Sequence, residues 1–152
     1  MPWTAAAAPD SLPAEMDPEP LEGIADADAH LGRRFPLPHV ELPLARWVEV
    51  CAVGPRAVEV AWNLDDTRAD QPGRVSLYAG ADPPPERELA GATPPAPVAD
   101  GVVHREAPLE EAQPSLRPVH ELSWQLDDLH LRLTAQGPWA LGVLVAIAQS
   151  VA

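Results

Sequence analysis

The stretch Val119–Ala152 leaves this chain few ways to fold. His120-Glu121-Leu122-Ser123-Trp124-Gln125-Leu126 alternates between polar and apolar, and Leu129-His130-Leu131-Arg132-Leu133-Thr134 alternates again, with Asp127-Asp128 between them. A turn at the two aspartates opposes Leu126 to Leu129, Trp124 to Leu131 and Leu122 to Leu133. Directly opposed residues of an antiparallel pair share a side, so all six lie on one face. Ser123/Arg132 and Gln125/His130 take the other. Gly137-Pro138 then punctuates the chain, and Pro138 suits a first helical turn. A helix is expected over Trp139–Ser150, with Leu141, Leu144, Val145 and Ala148 on one stripe. No charged side chain occurs from Leu133 to Ala152. A helix that is apolar nearly all round is covered on more than one side.

A second hairpin is expected upstream. Arg46–Val53 sets Val48, Val50 and Ala52 on one side, and Ala57–Trp62 sets Val58, Val60 and Trp62 on one side. A three-residue loop, Gly54-Pro55-Arg56, opposes Ala52 to Val58, Val50 to Val60 and Val48 to Trp62. This register also keeps Glu49 away from Glu59, which would repel it. Arg74–Ala79 alternates as a further strand, and Val102–Ala107 is a weaker one. Asn63–Gly73 and Asp82–Pro97 are polar, proline-bearing loops. Residues 107–118 form a connector with at most a helical turn near Leu109–Ala112. Near the start, Leu21–Leu31 has helical spacing. Gly32 is its C-cap, and Arg33-Arg34 complement the helix dipole. The proline-stiffened segment Phe35–Leu44 is laid along the domain surface. Residues 1–20, rich in Ala, Pro, Asp and Glu, form a disordered lead.

These elements predict a single α+β domain over residues 21–152. Its core is a curved, mainly antiparallel sheet of five or six strands, with the C-terminal helix packed on the concave face. A chain of 152 residues has room for a real core.

Charge narrows the partners. The net charge is −13, and all 10 basic residues are Arg. Together with the abundant Ala, Pro and Leu, that points to GC-rich codon usage. Twenty prolines are more than twice the roughly 8 expected at about 5%. Seven acids and no base fall in residues 1–32, so residues 33–152 carry sixteen acids against ten Arg, a net −6. No basic footprint for nucleic acid or anionic lipid is present. The apolar run Pro138–Ala148 is far shorter than the roughly 20 residues of a spanning helix, so the chain as given is not expected to insert in a membrane. The first residues do not resemble a secretory signal. Localisation is therefore read as cytoplasmic, or as extracytoplasmic if the chain is cut from a longer anchored precursor.

The search for chemistry is mostly negative. No phosphate-cradling glycine loop, nucleophile elbow, His-Glu-x-x-His or cysteine pair occurs. The lone Cys51 lies in an apolar run and is expected to behave as a small hydrophobe. His120 and His130 fall on opposite faces of the terminal hairpin, which removes them as a ligand pair. His104 and Glu106, two apart on a strand, share a face and could hold a metal with a third ligand, but a solvated strand face explains them equally. Asp65, Asp66 and Asp70 invite a calcium reading, yet lack the EF-hand spacing. No catalytic, cofactor or metal residue is therefore assigned. Trp62 and Trp124 face the core. Trp47 faces the other side with Glu49 and Cys51, which makes it the candidate binding surface, because amphipathic aromatics are enriched there.

Two segments carry a family resemblance: Ala29-His30-Leu31-Gly32-Arg33-Arg34-Phe35-Pro36-Leu37-Pro38 followed by Leu42-Pro43-Leu44, and Leu122–Leu133 followed by Ile147-Ala148-Gln149-Ser150. Together they resemble a bacterial domain of unknown function found in the extracytoplasmic parts of anti-sigma-factor-like proteins and lipoproteins. The resemblance implies a curved antiparallel sheet with a packed helix and a sensing or binding role. It transfers no catalytic residue. The expectation is a non-enzymatic binding or regulatory module of unknown ligand, with no cofactor and with a protein among the partners open to it; the alternative is a structural subunit that uses the apolar terminal helix or a sheet edge as its interface. A small enzyme would need a pocket with convergent polar groups.

Overall fold

The two hairpins form with the registers their alternation dictates. In the computed structural model, residues 18–43, 45–64, 73–85, 91–108 and 118–152 are described. The element order is β1 (Glu19–Pro20), α1 (Ile24–Leu31), β2 (Trp47–Gly54), β3 (Ala57–Asn63), β4 (Arg74–Gly80), β5 (Ala96–Ala99), β6 (Val102–Pro108), β7 (Pro118–Leu126), β8 (Leu129–Gln136) and α2 (Leu141–Ser150). Leu122, Trp124 and Leu126 pair with Leu133, Leu131 and Leu129 across β7 and β8. Ala52, Val50 and Val48 pair with Val58, Val60 and Trp62 across β2 and β3. The β2–β3 turn is tighter than a three-residue loop: Gly54 pairs with Ala57, and the extra residue is absorbed as an irregularity between Ala52 and Gly54.

The fold is α+β with an antiparallel sheet, but the expected five or six strands and single packed helix are wrong in detail. Among the described residues the sheet has eight strands in the order β1-β2-β3-β4-β8-β7-β6-β5, and it is not closed. It consists of two four-stranded meanders, each running from an outer edge inward, which meet where β4 and β8 pair antiparallel. The two unexpected strands are the edges. β1 falls inside the segment read as a disordered lead, and β5 takes in the end of the segment read as a loop. They have two and four residues and carry Pro20 and Pro97. Strands this short show no period, and proline is tolerated at a sheet edge because no inward hydrogen bond is lost. Residues 1–17, the Asp65–Asp70 cluster and the turn near Leu109–Ala112 lie outside the described residues.

One face of the sheet carries the core. The row Val50–Val60–Leu77–Leu133–Leu122 crosses five strands, each residue opposed to the next. Both helices pack on this face. Helix α1 contributes Ala27 and Leu31, followed by Phe35; α2 contributes Leu144, Ile147 and Ala148, with Trp139 before it and Val151 after it. Gly32 caps α1 in the left-handed conformation at φ 84°, and its N–H bonds Asp28 O. Arg33 also reaches beyond the helix end. Arg56 donates to Leu31 O there at 3.3 Å, while Arg33 reaches the β7–β8 turn, with Nη1 3.3 Å from Asp128 Oδ1. The proline-rich segment is more than surface dressing: Phe35 and Pro36 are buried, and Leu37 and Ala152 exchange backbone hydrogen bonds. Among the described residues, no helix is long and apolar enough to cross a membrane.

Candidate functional site

Strands β6, β7 and β8 present different chemistry on their two sides. Alternation aims Arg105, Glu121, Ser123, Gln125, His130 and Arg132 away from the helices. Together with Val103, and opposite a wall of Pro83, Pro84, Pro85 and Pro95, they line a cleft of about 810 Å³. Its polar groups are held firmly. Arg105 and Glu121 are register partners, with Nη2 2.7 Å and Nε 3.2 Å from the same carboxylate oxygen. Such charge-assisted bonds are short and orient both side chains. Arg132 is buried, lies over the Tyr78 ring at 5.9 Å, and donates from Nη1 to Pro85 O at 3.0 Å. Tyr78 in turn donates its hydroxyl hydrogen to Asp82 O at 2.8 Å. These two bonds draw residues 82–85 over the sheet as one side of the cleft. Burial pushes the Tyr78 phenol up, with Asp82 and Glu59 adding to the shift and the Arg132 guanidinium opposing it.

The helix-covered side of the same strands carries a second polar cluster. The apolar row through Leu133 and Leu122 ends on His104, and the adjacent row Trp62–Val75–Ala135 continues into His120 and Glu106. His104 Nε2 lies 3.2 Å from His120 Nδ1, and the two rings are stacked at a centroid distance of 5.5 Å. His120 Nε2 is 4.0 Å from Glu106 Oε2. One donor atom from each of the three lies within 4.8 Å of the others. Burial lowers the His120 pKa below the ordinary imidazole value; His104 adds to the shift, while Glu106 and a backbone hydrogen bond at Gly137 oppose it.

The sequence separated His120 from His130 correctly: His130 opposes Gln125, on the side away from the core. It could not pair His120 with Glu106, because alternation orders residues within a strand and is silent on which strand lies alongside. The β6–β7 register supplies that link.

Trp47 stands apart from both places. It begins β2, is 48% exposed and opposes Asn63. Beside it, Asn63 donates to Glu49 at 2.9 Å. Cys51 shares this side of β2, and its thiol pKa is raised by burial and by the neighbouring Glu49 and Glu59 carboxylates, against Arg74. Trp62 and Trp124 pack against the core, and buried Trp139 donates its indole N–H to Gln136 O.

No protein-family model, curated protein or solved structure matches this chain.

Proposed function

We propose that this chain is a non-enzymatic binding module whose ligand occupies the cleft over β6–β8. The observation that carries the reading is the cleft itself: about 810 Å³, with polar groups fixed on adjacent strands facing a proline wall. Small-molecule sites typically measure about 300–1,000 Å³ and combine apolar walls with a few fixed polar groups. Ser123 and Gln125 offer uncharged donors and acceptors, His130 adds an imidazole, and the prolines offer apolar contact without rotamer entropy to lose. The ligand class is therefore a small amphipathic molecule with a polar end. The sensing or binding role implied by the resemblance to anti-sigma-factor-like domains agrees with this assignment.

The assembly alternative is less well supported. The outermost strands are short and carry proline, which blunts pairing along them, although β1 covers only Cys51 and Ala52 of β2. Helix α2 spends Leu144, Ile147 and Ala148 on the chain's own core.

Titration of the isotopically labelled protein with a set of small amphipathic acids and amides tests the reading. Amide shifts should cluster at Ser123, Gln125 and His130, and Ser123→Trp, which fills the cleft, should abolish them in a protein that still unfolds cooperatively. Shifts centred on Trp47 and unaffected by Ser123→Trp would move the site to the start of β2. No response, together with concentration-dependent light scattering, would favour assembly.

A further inference from the structure

We propose that His104, Glu106 and His120 form a binding site for one divalent transition cation of the zinc class. The placement of the three side chains argues for it first. They lie on the side of the sheet that is otherwise apolar across β2, β3, β4 and β8, where rows of Val, Leu and Ala oppose one another. Those rows turn polar only on reaching β7 and β6, where all three groups meet. His120 is only 5% exposed. Two imidazoles and a carboxylate gathered at the margin of a core are costly unless they satisfy one another or a common partner.

The donor set and spacing identify that partner. Imidazole with carboxylate suits zinc and its neighbours in the transition series. With metal–nitrogen bonds of about 2.0–2.1 Å, two ligands at a tetrahedral angle stand roughly 3.3 Å apart. His104 Nε2 and His120 Nδ1 are already 3.2 Å apart. An imidazole binds one ion through one nitrogen, and the 4.0 Å from Glu106 Oε2 is to the other ring nitrogen of His120, Nε2, so Glu106 must swing inward to share an ion with Nδ1; its side chain is 46% exposed and has room to do so. Register partners on β6 and β7 hold the ligands, so little backbone ordering is needed on binding. Three protein ligands leave a fourth position for water or an exogenous donor.

This site and the cleft share a border at His104 but use different polar side chains. Arg105 and Glu121 project from the opposite side of the same two strands. Either assignment can therefore fail without the other.

The test uses the tag-free chain, dialysed against a chelator and titrated with zinc and with cobalt(II) by calorimetry and visible absorption. One cation per chain is expected, with the intense cobalt bands of a four-coordinate site and a zinc-dependent rise in unfolding temperature. His104→Gln and Glu106→Gln alter partly exposed side chains and should each stay folded. Each should weaken zinc binding by at least about tenfold, the lower end of what loss of even an outer-shell partner costs. His39→Gln and His130→Gln should leave it unchanged. Absence of binding at micromolar zinc, or binding that either ligand variant leaves intact, overturns the proposal. The three groups would then be a hydrogen-bonded imidazole pair beside a carboxylate and nothing more.

Discussion

The ring and hydroxyl of Tyr78 occupy the space into which a Cβ on Gly80 would project. An added methyl there would also meet Ala57 Cβ at 3.0 Å. Gly80 therefore serves the cleft at one remove, since Tyr78 carries both the Arg132 contact and the hydrogen bond to Asp82. Gly80→Ala should displace the ring and destabilise the fold by about 1–3 kcal/mol, the usual cost of overpacking. Chemical denaturation measures this, and crystallography or NMR should find the Tyr78–Asp82 bond lost. An unchanged midpoint would show that the ring yields at no cost.

Gly142 gives the opposite case. It is exposed in the first turn of α2, and a Cβ would meet nothing within 4 Å. Gly142→Ala should stabilise the protein by roughly 0.4–1 kcal/mol, because alanine loses less backbone entropy on helix formation. A lower unfolding temperature would mean that the bare backbone is needed there.

Leu144 is fully buried in the core cluster. Truncating such a residue costs about 2–5 kcal/mol, and a buried carboxylate costs more. Against a total stability of about 5–15 kcal/mol, Leu144→Asp should unfold the chain or make it aggregate. A soluble, monomeric and equally heat-resistant variant would mean that α2 is not core.

Cys51 should be a slow nucleophile. The raised thiol pKa leaves less thiolate at any given pH, so iodoacetamide should react more slowly than with a free cysteine peptide at pH 8. The rate should keep climbing beyond about pH 8.5, where an ordinary thiol is half ionised. Glu49→Gln removes a negative charge that disfavours the thiolate and should shift the rise to lower pH. A profile matching the free peptide would show that neither burial nor the carboxylates act on the sulfur.

The parts of the fold legible in the sequence are those held by local pattern. Val48/Trp62 and Trp124/Leu131 follow from alternation about a short turn, and Gly32 from its place after a helical run. β1 and β5 were not legible, because Glu19-Pro20 and Ala96-Pro97-Val98-Ala99 become strands only through the edges that β2 and β6 offer them. The histidine cluster was half legible. His104 and Glu106 share a face by spacing alone, but His120 joins them through a pairing between distant parts of the chain. Likewise, the ion pairs of Arg33 with the Asp127-Asp128 turn depend on a contact between distant parts of the chain that spacing does not show.

The antiparallel seam between β4 and β8 divides the chain almost in half. Among the described residues, β1–β4 pair with one another and β5–β8 with one another, except at the seam. The polypeptide crosses from one meander to the other only once, between Gly80 and Ala96. A single cut in that connection would give two pieces that each keep four sequentially paired antiparallel strands and expose one unpaired inner strand. The molecule is thus laid out for fragment complementation: its halves would be docked by the complementary edges of β4 and β8 and by the apolar face that α1 and α2 share.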